Sequence, residues 1–247
     1  MNVIKRDGTA EPLNLDKIHQ MVEFACEDIT GVSSSQVEMN SGLQFFDGIE
    51  SEQIQNILIK SASDLISLDS PNYQFVAARL LLFSVRKQVF ADWNNTGYPK
   101  LKSHVETCAE AGVYDGGILK KYDDEEWEEL NSYIDHQRCY GFTYAGLRQI
   151  VDKYLVQDRS TGRVYETPQY MYIMVAATLF QDYPKDKRLD YVKRYYTATS
   201  KGKINVPTPV LAGVRTPLRQ FASCVLVDVD DTLDLSLIHI SEPTRQE

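Results

Sequence analysis

Apolar residues in the first ninety positions fall at helical intervals in separate stretches, each bounded by a capping or breaking residue. Ile18, Met21, Val22, Ala25 and Cys26 share one helical face, and Asn14 ahead of them suits an N-cap. Val37, Met39 and Leu43 mark a second stretch over residues 33–46, closed by Asp47-Gly48. A third carries Ile54, Ile57, Leu58, Leu65 and Ile66, with Ser51 predicted as N-cap and Glu52 set against the helix dipole. Ser70-Pro71 breaks it, and a fourth follows over residues 72–90 through Tyr73, Val76, Ala77, Leu80 and Phe83. Before these, residues 2–13 predict a β-hairpin, because Asp7-Gly8 accepts the positive φ of a tight turn.

Trp93-Asn94-Asn95-Thr96-Gly97-Tyr98-Pro99 disfavours both helix and strand and reads as a linker, so a domain boundary is expected at residues 91–92. Beyond it the pattern predicts helices over residues 101–111, 124–134 and 143–154. The acidic run Asp123-Asp124-Glu125-Glu126 fits the negative start of a helix. Residues 154–165 predict a second hairpin, turning at Ser160-Thr161-Gly162. Thr167-Pro168 and Tyr183-Pro184 each predict a helix entry with proline at the first position. From Lys203 onward the pattern turns to strands and turns: residues 204–207, then 221–229. The fold expected is mostly α with short β.

Net charge changes the picture next. At −9, the chain is a poor candidate for coating nucleic acid by phosphate neutralisation, though a small basic pocket remains open to it. Cys26, Cys108, Cys139 and Cys224 stand far apart without a C-x-x-C pair, which excludes a zinc ribbon or a thioredoxin-type motif. His19, His104, His136 and His239 are isolated as well, and no metal site is predicted. The N-terminus lacks the apolar core of a signal peptide, and the longest apolar run, residues 170–180, falls short of the roughly 20 residues of a membrane span. A cytoplasmic protein is expected.

Candidate chemistry in the first unit is cationic. Lys5 and Arg6 flank a tight turn, Lys17 lies in the first turn after Asn14, and Arg86 and Lys87 end the fourth helix. Gathered at a helix N-terminus, such cations would hold a triphosphate; scattered, they would be ordinary solvated residues. Spacing leaves both open. The segments residues 3–8, 13–18 and 73–80 resemble an ATP-cone domain, the nucleotide-sensing module at the start of many ribonucleotide reductases. That resemblance implies that Lys5, Arg6, Glu11, Asn14, Lys17, Ser51 and Lys87 hold ATP or dATP as an allosteric effector. Lys5, Arg6, Lys17 and Lys87 would contact phosphates, and Asn14 and Glu11 would line the pocket.

The second half is similar to the start of a class I ribonucleoside-diphosphate reductase large subunit. Residues 152–157, 165–169 and 206–217 carry the likeness, and Arg219-Gln220-Phe221-Ala222-Ser223-Cys224-Val225-Leu226 completes it. Alone, Cys224 on an apolar strand reads as an inert core thiol. The resemblance instead makes it one of two redox cysteines that reduce the ribose, with Thr208 and Ser223 hydrogen-bonding the substrate. Asp231-Thr232-Leu233 would begin the site where a nucleoside triphosphate selects the base.

The implied layout is an ATP cone over residues 1–91 and the helical part of the large subunit over 92–203. The first strands of the ten-stranded α/β catalytic barrel follow over 204–234, truncated. The whole enzyme would act on ribonucleoside diphosphates. It would need a small (beta) subunit holding the metal-radical cofactor and a thioredoxin or glutaredoxin, and it is expected to be a homodimer. This fragment is expected to be inactive.

Two departures bear on regulation: Gln55 and Ser84 stand where the family often has a histidine that assists inhibition by dATP. Ala222 replaces a common serine. Other readings are a stand-alone ATP-cone sensor of a transcription repressor, which would carry a zinc ribbon, and an anaerobic glycyl-radical reductase. Last, Leu235-Ser236-Leu237-Ile238-His239-Ile240-Ser241-Glu242-Pro243-Thr244-Arg245 resembles a translated sequencing adapter. Residues 235–247 are expected to be artefact; the alternative is an unusual natural C-terminus.

Overall fold

A computed structural model describes residues 1–5, 8–42, 44–91, 97–218 and 220–222. The chain opens with antiparallel β1 (Asn2–Ile4) and β2 (Ala10–Pro12), in a register pairing Val3 with Glu11. The turn closes where Gly8, at φ +82°, donates its amide to the Lys5 carbonyl. Helix α1 (Leu15–Cys26) follows at once, because the Asn14 side chain accepts from the Lys17 amide at 3.1 Å and caps it. Helix α2 (Ser34–Gly42) is shorter than its apolar pattern predicts.

β3 (Ile49–Glu50) then pairs parallel to β1, matching Ile4 with Glu50, and leads straight into α3 (Ser51–Asp64). This corrects the expected cap. Glu50, not Ser51, occupies the N-cap, and its amide donates to the Gln53 side chain. The strand pairing holds Glu50 extended and pushes Ser51 into the first helical position.

α4 (Tyr73–Phe90) is the pivot of the fold. Val76, Ala77, Ala78, Leu80, Leu81, Leu82, Phe83 and Val85 are all buried, so the helix is covered around nearly its whole circumference, the mark of a helix enclosed by others. It packs on α1 and α3 on one side. On the other it meets α7 (Tyr144–Lys153) and the 3-10 turn His136–Gly141. One apolar core therefore continues from Val3 and Ile49 through α4 to Leu147, Val175 and Leu211, across the predicted boundary at residues 91–92.

A second core gathers α5 (Leu101–Glu110), α6 (Asp124–Tyr133), α8 (Pro168–Phe180) and α9 (Lys185–Ser200) around Trp127 and Tyr170. The acidic run behaves as predicted: Asp123 caps α6 by accepting from the Glu126 amide at 3.0 Å, and Glu126 returns the contact. β4 (Gln157–Asp158) and β5 (Arg163–Val164) form the second hairpin, with Gly162 at φ +72°. Pro168 opens α8 from inside its first turn, but Pro184 sits one position earlier, as the N-cap of α9.

The segment after Lys203 departs from its predicted strand character. Residues 208–213 form a short helix, α10 (Thr208–Gly213), in which Pro209 fixes a helix-compatible φ in the first turn and Pro207, at ψ 140°, is the extended N-cap. No strand occurs among the described residues 203–222. Residues 223–229, the rest of the predicted strand, lie outside the described residues, as does the tail 235–247. Mostly helix with short strands is thus the observed class. Among the described residues no helix is long and apolar enough to cross a membrane.

Candidate functional site

The strand register decides which predicted nucleotide residues meet. Because Ile4 pairs with Glu50 in parallel, Lys5 and Ser51 leave the same end of adjacent strands. Lys5 Nζ then lies 2.7 Å from Glu11 Oε1, an ion pair that ties the turn to β2. Asn14 is committed by its side chain to capping α1, which places Lys17, exposed, in that helix's first turn. Lys87 is exposed in the last turn of α4. Arg6 lies outside the described residues. The register therefore brings the end of β1 beside the start of α3, and Lys17 lies in the first turn of α1.

Arg86 does not belong to this group, a correction to its expected role. It is 1% exposed, donating to Tyr140 Oη at 2.7 Å and to the His136 carbonyl at 3.2 Å. Its guanidinium also lies over the Tyr140 and Tyr98 rings, 4.9 and 5.5 Å from their centroids. Arg86 therefore fastens α4 to the second half of the chain. Gln55 is similarly spent on packing: its amide donates to the Leu80 carbonyl at 2.9 Å and joins α3 to α4. Ser84 is half-buried on α4.

A sizeable concavity lies elsewhere. A groove of about 600 Å³ between α1 and α2 is lined by Leu15, Asp16, Ile18, His19, Glu38 and Phe45 among others. It contains none of the predicted nucleotide residues, and its carboxylates oppose a triphosphate.

In the second half Thr208 is exposed at the start of α10. Ser223, Cys224, Asp231, Thr232 and Leu233 lie outside the residues that the structure describes. The structure does bring together a set that spacing gave no sign of. Arg215 and Glu166 form an ion pair with both side chains 0% exposed, and Tyr114 donates its hydroxyl to the same carboxylate. Burial and the neighbouring carboxylate hold the Tyr114 hydroxyl well above its ordinary range.

Nearby, His104 Nε2 and Cys108 Sγ lie 3.5 Å apart on successive turns of α5. Burial lowers His104 to about 4 and raises Cys108 to about 12, so at neutral pH the pair is an uncharged imidazole beside a thiol. That is packing chemistry rather than a nucleophile. Among the described residues, no group of three or more His, Cys, Asp or Glu side chains could hold a metal ion.

Comparison with known proteins meets this geometry at both ends. Residues 1–88 match the ATP cone domain, and residues 140–219 match the ribonucleotide reductase all-alpha domain. The fold and these matches define an ATP cone joined to the helical entry of a ribonucleotide reductase. The chain is 50% identical over 232 residues to the ribonucleoside-diphosphate reductase subunit alpha of Haemophilus influenzae. Identity is 49% to the ribonucleoside-diphosphate reductase 1 subunit alpha of Escherichia coli and 41%, over 235 residues, to the ribonucleoside-diphosphate reductase subunit alpha of Enterobacteria phage T4. Each alignment covers 94% of this chain and 30% of the relative, so the chain spans about a third of their length. The chain thus carries an ATP cone domain and a ribonucleotide reductase all-alpha domain, and over the third that it spans it is similar to ribonucleoside-diphosphate reductase alpha subunits.

Proposed function

We propose that residues 1–91 bind ATP or dATP as an allosteric effector, and that the protein of which this chain is part reduces ribonucleoside diphosphates. The observation that carries the first claim is the match to the ATP cone over residues 1–88, supported by the register that sets Lys5 beside Ser51. Lys5, Arg6, Lys17 and Lys87 contact the phosphates, Glu11 and Asn14 line the pocket, and Ser51 adds a hydroxyl. Gln55 gives no imidazole to the site, which favours ATP binding without inhibition by dATP.

For the second claim, Thr208 and Ser223 hold the substrate and Cys224 is one member of a redox pair. Replacing the ribose 2′-hydroxyl by hydrogen consumes two electrons and releases water; two thiols supply both and become a disulfide, which an external dithiol reduces again. Asp231, Thr232 and Leu233 begin the specificity-effector site. The division into a cone (residues 1–91), a helical part (92–203) and the first barrel strands (204–234) belongs to the same proposal. A beta subunit with a metal-radical cofactor, a thioredoxin or glutaredoxin and a second copy of the whole protein are its partners.

Lysine footprinting tests the cone. Saturating ATP is expected to shield Lys5, Lys17 and Lys87 from acetylation and to leave Lys60 and Lys193 reactive. Uniform reactivity with and without ATP would dismiss this placement of the site.

A further inference from the structure

The pair Arg215 and Glu166 joins four separate parts of the chain. Arg215 Nε donates to Glu166 Oε2 at 2.8 Å, and Nη2 donates to Glu166 Oε1 and to the Tyr154 carbonyl, the latter at 2.9 Å. Nη1 donates to the Leu211 carbonyl. Glu166 accepts in addition from the Val156 amide at 2.6 Å and from the Tyr114 hydroxyl. The Arg215 carbonyl accepts from the Asp115 amide at 2.9 Å. Every polar atom of the guanidinium and carboxylate is engaged, out of reach of solvent.

Such a pair adds little stability over apolar residues of the same volume, because desolvation offsets its attraction. What it supplies is direction. Two parallel N–H···O bonds fix both angle and distance, whereas an apolar contact tolerates sliding. The segment it fixes has few other anchors. Only Leu211, Val214 and Arg215 are buried in residues 204–218, while Ile204, Asn205, Pro207 and Thr208 are exposed. A continuous hydrogen-bonded turn, Leu211 N to Pro207 O at 3.2 Å and Val214 N to Val210 O at 3.2 Å, carries the position of Arg215 back to Thr208.

We propose that the Arg215–Glu166 pair is a positioning latch that seats residues 207–216, and with them Thr208, on the helical body. The seating stands on geometry alone; only the use of Thr208 toward a substrate rests on the reductase reading. Arg215 and Glu166 act through the segment and touch no substrate themselves.

Hydrogen exchange followed by mass spectrometry on the 247-residue chain tests this, using Arg215→Lys and the double variant Glu166→Leu/Arg215→Met. The double variant leaves the Val156 amide, the Tyr114 hydroxyl and the Tyr154 and Leu211 carbonyls without partners and should melt lower than the parent, but at 25 °C we expect unchanged protection in α7 and α8. The amides of Leu211, Val214 and Thr216, and that of Asp115, should exchange at least tenfold faster. Arg215→Lys, which keeps charge but loses the fork, should accelerate the same amides by a smaller factor. Parent-like protection of those amides in the double variant would overturn the proposal, since apolar packing would then suffice. Equal acceleration throughout α8 would overturn it too, by making the pair a general support of the core. If the double variant does not fold, the same two criteria applied to Arg215→Lys decide. ATP binding is unaffected by any of these outcomes, so a failure here is distinct from a failure of the functional reading.

Discussion

Acid should weaken this protein through one imidazole in particular. His104 sits among Phe90, Tyr114 and Tyr170, with ring centroids 5.6, 6.2 and 4.7 Å away, and burial lowers its pKa from 6.5 to about 4. Unfolded, the same imidazole takes up a proton near its ordinary value. Below pH 6.5 the unfolded state therefore binds more protons than the folded one, and stability falls as pH falls. Linking the two pKa values gives a loss of about 2 kcal/mol at pH 5 and about 3 kcal/mol at pH 4, relative to pH 7. His104→Phe keeps the aromatic contacts and removes the titration. Urea unfolding at pH 7, 5 and 4 should show the parent losing about that much more than the variant. Asp123 and Glu126, whose ion pairs hold their carboxyls below the ordinary range, and His136, lowered by burial and by Arg86, also weaken the fold in acid. They are common to both proteins and cancel in the difference. Equal losses in parent and variant would refute the reasoning.

Other outcomes follow from single contacts. Arg86→Leu leaves the Tyr140 hydroxyl and the His136 carbonyl without their donor, and should cost about 2–4 kcal/mol in urea unfolding; a loss below about 0.5 kcal/mol would deny Arg86 its fastening role. Asn14→Ala removes the cap of α1 and should cost about 1 kcal/mol, whereas Asn14→Asp should restore most of it; a neutral alanine variant would show the cap to be idle. The 247-residue chain, supplied with a beta subunit, thioredoxin and a ribonucleoside diphosphate, should form no deoxyribonucleotide; detectable product by chromatography would contradict the expectation of an inactive fragment.

Local chemistry was legible in the sequence and non-local chemistry was not. Asn14, Asp123 and Thr143 cap their helices through contacts within three residues, so a short window contains the whole cause. Ser51 missed the cap by one position because the deciding contact is the pairing of Glu50 with Ile4, more than forty residues away. Arg86 and Lys87 are adjacent cations with opposite fates, one buried against residues 136–140 and the other exposed, and nothing in residues 80–90 separates them. Glu166 and Arg215 lie 49 residues apart and announce their pairing by no spacing. Pro209 favours the turn of helix over residues 208–213, a signal that the expectation of strands and turns from Lys203 onward does not take up. The nucleotide residues were named through family resemblance, since scattered lysines read equally well as a solvated surface.

Calorimetric titration of ATP into the chain tests the central claim most directly, with Lys17→Ala as the companion. The account predicts saturable heat from the parent, and binding weaker by about 1–3 kcal/mol in the variant through loss of a charge-assisted contact. Absence of ATP heat from a parent whose circular dichroism and melting show it folded would contradict it.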